Sequence, residues 1–109
     1  MTSALPPATA VNLGSLAIPG ENGRATYLLA KAVGGSLTLL AFEADRRLHE
    51  HVSPLEAIVV VLEGLLTVTI GGVPVEAAAG TLVRIPAGAP HSVHATVASR
   101  MLLATLRDA

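Results

Sequence analysis

The sequence predicts a single all-β domain, and three observations carry this prediction. Short segments rich in Val, Ile, Leu and Thr recur at near-regular spacing along the 109 residues. Gly-Gly pairs and prolines separate these segments, as in chains that turn repeatedly between strands. No apolar pattern is long enough to indicate a convincing helix, so the segments are typical of a β-sandwich or β-barrel.

Individual strands follow from local patterns. The segments on either side of Gly34-Gly35 are predicted to pair as a hairpin. The Ile/Val/Leu run 57–62 is typical of a strand buried on both faces. Residues 99–106 suit either a strand or a helix, and we prefer a strand because a sheet edge would otherwise stay uncovered. The predicted strands are 12–18, 24–33, 36–42, 57–62, 65–70, 73–76, 81–85, 92–98 and 99–106.

Length and composition indicate one domain with a real core. Residues 11–109 are predicted to form it, and residues 1–10, with Pro6 and Pro7 among small residues, are predicted to be a flexible N-terminal arm. The chain is 51% hydrophobic and 14% charged, which favours strands buried on both faces or a homodimer that covers apolar surface. The apolar runs are too short for a membrane-spanning helix, so no membrane association is expected.

Charge and residue usage argue against several classes of function. The net charge is −1, the basic residues are scattered, and Tyr27 and Phe42 are the whole aromatic content. Neither a phosphate-binding stripe nor a stacking platform is expected, so nucleic acid is not a predicted partner. Cysteine is absent, which removes disulfides and thiolate ligands. The N-terminus lacks a secretory signal pattern, so a cytoplasmic location is expected.

The candidate site begins at His49-Glu50-His51. On extended backbone, alternate residues share a face, with Cα atoms roughly 6–7 Å apart, so His49 and His51 could converge on one ion. Glu56 follows five residues later, and His91 comes directly after a Pro/Gly loop. Imidazole and carboxylate without thiolate suit a divalent transition metal such as Fe, Mn, Ni, Co or Zn. The plainer interpretation of His-x-His is a pair of exposed or hydrogen-bonded side chains.

The loop before His91 makes the pattern specific. Residues 80–91 match Gly-x5-Pro-x-Gly-x2-His without a gap. Together with His-x-His, this resembles the two motifs of the small single-domain cupins, in particular an uncharacterised subgroup of RmlC-like proteins. The resemblance implies an antiparallel jelly-roll β-barrel of six to eight strands. It also implies a metal in the barrel mouth, with His49, His51 and His91 as ligands.

Two departures from the family pattern concern the first motif. Glu43 stands where the family has a glycine. The spacing from Glu56 to Gly64 is one residue too long, so alignment backward from Gly64 puts Ala57 at the carboxylate position. Either a bulge lets Glu56 point inward as the fourth ligand, or the fourth ligand is lost. Ala95 replaces the terminal Asn of the second motif.

Two functions remain open on the sequence. A metal held by the three histidines would support dioxygenase, isomerase or lyase chemistry on a small molecule. The alternative is a non-catalytic dimer that binds a small ligand or is structural, with a degenerate or empty metal site. His94 lies an odd number of residues from His91, so we expect it on the opposite face of its strand, at the surface or a dimer interface.

Overall fold

Ten strands make up most of residues 1–107, the part of the chain that the computed structural model describes. They are β1 (Thr2–Ser3), β2 (Arg24–Ala32), β3 (Gly35–Phe42), β4 (Arg47–His51), β5 (Glu56–Glu63), β6 (Leu65–Ile70), β7 (Val73–Ala78), β8 (Leu82–Ile85), β9 (His91–Ala95) and β10 (Ser99–Leu106). Every segment predicted from residue 24 onward is a strand, with ends shifted by a few residues at most. The choice of strand over helix for 99–106 is confirmed.

The strands form two antiparallel sheets. One has the order β1-β2-β3-β10-β5-β8, and the other has the order β4-β9-β6-β7. Consecutive strands such as β4 and β5, or β8 and β9, lie in different sheets, so the chain crosses repeatedly between the two layers. This arrangement confirms the predicted all-β, antiparallel jelly-roll barrel.

The main core lies between the inner faces of the two sheets. In β5, the alternate residues Ala57, Val59 and Val61 are buried. They belong to the same apolar cluster as Leu66 and Val68 of β6, both of which are fully buried. Burial of each of the larger side chains stabilises the fold by about 1.5–3 kcal/mol.

A second apolar cluster covers the outer face of the six-stranded sheet. It is centred on the buried side chains of Leu29, Leu39 and Ala41, and Leu62 of β5 packs against it. The 57–62 segment is therefore buried mainly on its inner face, through Ala57, Val59 and Val61, and on its outer face it contributes Leu62. Leu5 and other N-terminal residues cover this outer cluster.

The N-terminal segment differs from the sequence expectation. The predicted strand over 12–18 is wrong: Leu13–Ser15 is a single 3₁₀ turn, capped by the Asn12 side chain, which accepts a hydrogen bond from the Gly14 N–H. Residues 1–10, expected to be a flexible arm, contain β1, which pairs with β2. No helix within residues 1–107 is long and apolar enough to cross a membrane.

Candidate functional site

Strand β4 carries two of the predicted ligands, and a register shift separates them. Leu48 pairs with Val93 of β9, but the next pair is His51 with His91. Three residues of β4 therefore match two of β9, which is the signature of a β-bulge. Because of the extra residue, His51 lies on the same inner side of the barrel as Leu48, although an odd number of residues separates them.

His51 and His91 are brought together at one end of the barrel. Their ring centroids are 4.1 Å apart, and the rings meet edge to face at 63°. His91 is 4% exposed, and Val93, two residues along the same strand, is in the main core. His51 is the more exposed member, at the end of its strand. The two imidazoles therefore form a pair that reaches from the core to solvent.

Backbone carbonyls fix the orientation of both rings. Nδ1 of His51 lies 2.9 Å from the carbonyl oxygen of His49, and Nδ1 of His91 lies 3.0 Å from that of Ala89. A carbonyl oxygen can only accept a hydrogen bond, so each Nδ1 carries the proton. In the neutral rings each Nε2 then holds a free lone pair, the arrangement that also orients histidines bound to metals.

His49 does not join this pair. It is exposed and lines a surface depression together with Arg24 and Arg47. Arg47 pairs across strands with His94, which is on the opposite face of β9 from His91. The β4 bulge thus sends the two histidines of the His-x-His pattern in different directions.

Glu56 is held by other partners. The Arg84 side chain donates to Oε1 of Glu56 through Nε, at 2.9 Å, and through Nη2. The Ala87 N–H donates to Oε2. The bond from Arg84, followed by that from Ala87, holds the pKa of Glu56 below its usual value. Both carboxylate oxygens are therefore engaged.

The partners of Glu56 connect it to His91 indirectly. Ala87 belongs to the loop 86–90 between β8 and His91, and Gly88 of the same loop donates to the Ser53 carbonyl at 2.8 Å. Glu56 thus anchors the loop that positions His91. The inward position next to it in β5 is occupied by Ala57, which is 2% exposed.

The predicted metal-ligand set fits this arrangement only in part. His51 and His91 converge, whereas His49 lines an outer depression and Glu56 is paired with Arg84. Within residues 1–107, no group of three or more His, Asp or Glu side chains is arranged to hold a metal ion. Two imidazoles are fewer than the three protein ligands that a catalytic zinc site usually has.

Hydroxyl groups at the same end of the barrel were not predicted from the sequence. Ser36 and Thr105 share a 2.6 Å hydrogen bond between their hydroxyls. They lie where β3 begins and β10 ends, close in register to the start of β5. Thr38 follows two residues after Ser36 on the face that carries buried Leu40. In the sequence, the alternation of Ser36, Thr38 and Leu40 places these side chains on one face of a strand. It does not tell whether that face points into the barrel.

We call this end of the barrel the mouth. It is the end where β4 finishes at His51 and β9 starts at His91, and where Ser36, Thr38 and Thr105 lie on the facing sheet. Partly buried apolar side chains that pack on the main core complete the inner surface nearby; they include Leu48, Ile70 and Leu103. The mouth therefore combines two imidazoles, several hydroxyls and aliphatic walls.

His94 lies on the opposite face of β9 from His91, as expected from its spacing. Its Nε2 is 2.8 Å from Oδ1 of Asp45, in the connection between β3 and β4. The Asp45 N–H also donates to the Ala95 carbonyl at 2.7 Å. Asp45 thus ties the β3–β4 connection to β9, which gives His94 a structural role at the surface.

Comparison with known proteins agrees with this architecture. A family model for the cupin domain matches residues 38–105, more than half of the chain and both histidine motifs. The chain has no match among curated proteins.

Solved structures with the same architecture include proteins from three bacteria. A protein of unknown function from Streptococcus pyogenes has a TM-score of 0.89 at 24% identity, over 100% of this chain and 97% of that one. A cupin superfamily protein from Desulfitobacterium hafniense has a TM-score of 0.85 at 22% identity, over 95% of each chain. A cupin 2 conserved barrel domain protein from Leptotrichia buccalis has a TM-score of 0.83 at 26% identity, over 89% of this chain and 47% of that one.

Proposed function

This chain belongs to the cupin domain family, and from that premise we propose that it binds a small polar molecule at the barrel mouth. His51 and His91 are the proposed polar anchors. The ligand is a molecule with hydrogen-bond donors, small enough to sit between the two sheets. The proposal corresponds to a cupin whose metal site is degenerate and whose barrel serves for binding.

The observation that carries the proposal is the orientation of the two imidazoles. Both Nδ1 atoms are committed to backbone carbonyls, at 2.9 Å for His51 and 3.0 Å for His91. Each Nε2 is therefore left as a hydrogen-bond acceptor, and the two rings that carry these acceptors are neighbours, with centroids 4.1 Å apart. A ligand that donates two hydrogen bonds, such as a primary amide or a diol, satisfies both Nε2 atoms, and the hydroxyls of Ser36 and Thr105 offer further partners on the facing sheet.

A divalent transition metal is the second candidate for the same position. The Nδ1-to-carbonyl bonds favour it, because they present Nε2 as metal-bound histidines do. With two histidines as the protein ligands, the remaining positions would be filled by water or by a bound small molecule. The uncommon feature is the missing carboxylate, since Ala57 occupies the inward position beside Glu56.

Metal analysis combined with ligand titration separates the two candidates. The protein is purified without chelator or nickel affinity resin, and bound Fe, Mn, Ni, Co and Zn are quantified. We expect clearly substoichiometric metal, and saturable shifts of the His51 and His91 imidazole signals with at least one member of a panel of small polyols, amides and hydroxy acids.

The matched variants are His91→Ala, which removes an anchor, and His94→Ala, which changes a histidine on the outer face of the same strand. Ligand-induced shifts should disappear in the first and persist in the second. If the wild type holds near-stoichiometric metal and His91→Ala loses it, the site binds a divalent metal rather than a small polar molecule alone. If neither a metal nor any ligand of the panel binds at the mouth, both candidates are contradicted.

We also propose that the protein forms a homodimer. Several large apolar side chains are exposed, among them Leu82 at 65% and Val73 at 63%. Leu82 lies on β8, an edge strand of the six-stranded sheet. An exposed apolar edge strand is a surface that proteins commonly cover by pairing with another chain.

A further inference from the structure

We propose that a second site, on the outer surface of the barrel, binds a small phosphate-bearing anion. The site is a depression of about 230 Å³ beside the start of β4. Its lining residues come from the turn before β2, the start of β2, the β3–β4 connection and β4: Asn22, Arg24, Asp45, Arg46, Arg47 and His49. We call it the arginine depression.

The arginine depression is lined by three guanidinium groups that have no carboxylate partner among the described residues. Within residues 1–107, none of Arg24, Arg46 and Arg47 has an ion pair with a carboxylate within 4.0 Å. The acid in the depression, Asp45, instead bonds His94 at 2.8 Å. Three like charges lining one small depression repel each other, and a bound anion relieves that repulsion.

The charge of the depression acts on its neighbours. The hydrogen bond and charge of His94 lower the pKa of Asp45, and the charges of Arg47 and Arg46 lower it further. Among the lining side chains, Asp45 supplies one negative charge against the three positive charges of the arginines. Arg46 and Arg47 are adjacent in the sequence, and the connection between β3 and β4 brings them beside the distant Arg24.

Two of the arginines are held in place before any ligand binds. Nη1 of Arg24 donates to the Arg47 carbonyl at 3.1 Å. The side chain of Arg46 lies over Gly23, where a Cβ atom would collide with its stem and Nε. Gly23 also has a φ of 73°, in the left-handed region that favours glycine. A bound anion therefore meets guanidinium groups that have already lost part of their freedom.

The chemistry of the lining selects the class of ligand. Guanidinium groups match the geometry of phosphate oxygens and form paired, charge-assisted hydrogen bonds with them. Every lining residue is polar or charged, so no aliphatic or aromatic hydrocarbon side chain is present to hold a lipid chain. Nucleic-acid binding typically uses roughly 6–10 phosphate contacts, more than three arginines supply. The occupant is therefore a free phosphate ion or a small phosphate monoester.

The test is an NMR titration of the full-length protein with inorganic phosphate at constant ionic strength. We expect saturable amide shifts in residues 22–24 and 45–49, with a dissociation constant on the order of 1 mM. The double substitution Arg46→Gln and Arg47→Gln should weaken binding by roughly tenfold or more, because each lost charge-assisted bond contributes on that order.

A charge-matched control separates a site from a general charge effect. The double substitution Lys31→Gln and Arg107→Gln also removes two positive charges, but from a different depression that both residues line. This control should bind phosphate as the wild type does. Absence of saturable shifts, or equal loss of binding in both double variants, would overturn the proposal. So would binding to phosphatidic acid vesicles without binding to free phosphate, since the ligand would then be a membrane.

Discussion

His51 and His91 lie opposite each other across β4 and β9, with ring centroids 4.1 Å apart and both Nδ1 atoms bonded to backbone carbonyls. This relationship depends on the β4 bulge, which turns His51 inward and leaves His49 outside. The sequence predicts a cluster of three histidines, whereas in the structure two of them, His51 and His91, form a pair. The function proposed for the mouth follows from that pair.

Glu56 gives the first prediction, which concerns acid stability. Its folded-state pKa is below the usual value because of Arg84 and Ala87. The carboxylate therefore stabilises the folded state fully above its unfolded-state pKa, and this contribution is lost as the pH falls through the lowered folded-state pKa. We expect Glu56→Gln to lower the urea midpoint at pH 7. Below about pH 5 the urea midpoint should fall less steeply with decreasing pH in Glu56→Gln than in the wild type.

Glu21→Gln, in the exposed turn before β2, is the matched control for this measurement. It should leave the acid dependence as in the wild type. Equal acid dependence in the wild type and Glu56→Gln would contradict the anchoring role of the carboxylate. Because Glu56 holds the loop that precedes His91, its substitution should also shift the His91 imidazole signal, which an unrelated surface position would not move.

The second prediction concerns the core between the sheets. Leu66 is fully buried in the main cluster. Leu66→Ala leaves a cavity and should lower the free energy of unfolding by about 2–5 kcal/mol. Val33→Ala, at a position 91% exposed, should change it by less than about 0.5 kcal/mol. Similar losses in both variants, measured by urea unfolding, would show that the two-sheet core is described wrongly.

The third prediction concerns self-association. Light scattering at micromolar concentration should give twice the 11.0 kDa mass of the chain. Leu82→Lys places a charge on the exposed edge strand β8 and should shift the mass toward the monomer. A monomer mass for the wild type would refute the homodimer, and a dimer that is unaffected by Leu82→Lys would place its interface elsewhere.

Much of the fold could be predicted because it depends on local patterns. The apolar runs and the Gly-Gly turn at 34–35 identify strands directly, and the motif ending at His91 identifies the jelly roll. The strand that the sequence predicts over 12–18 is absent. The apolar residues of this segment serve a 3₁₀ turn that packs on the outer sheet face, and such tertiary contacts are not encoded in strand periodicity.

The site could be predicted only in part, for a related reason. The sequence predicts that His51 and His91 lie close together, and the structure brings their rings together. The direction of His49 depends on where β4 accommodates one extra residue. Sequence spacing left open whether Glu56 points inward as the fourth ligand or the fourth ligand is lost. The ion pair between Glu56 and Arg84 depends on the pairing of β5 with β8. The arginine depression combines the start of β2 with the β3–β4 connection and β4, which are distant in the sequence, so local patterns do not predict it.

The most direct test of the account is the protonation pattern of His51 and His91, read from long-range ¹H–¹⁵N correlation spectra of the imidazoles at pH 9. Assignment uses His51→Gln and His91→Gln, and His94 serves as the internal reference on the outer face. We expect the proton on Nδ1 and a lone pair on Nε2 in both rings. Protonated Nε2 in both rings would contradict it, because the mouth would then offer donors where the account requires acceptors.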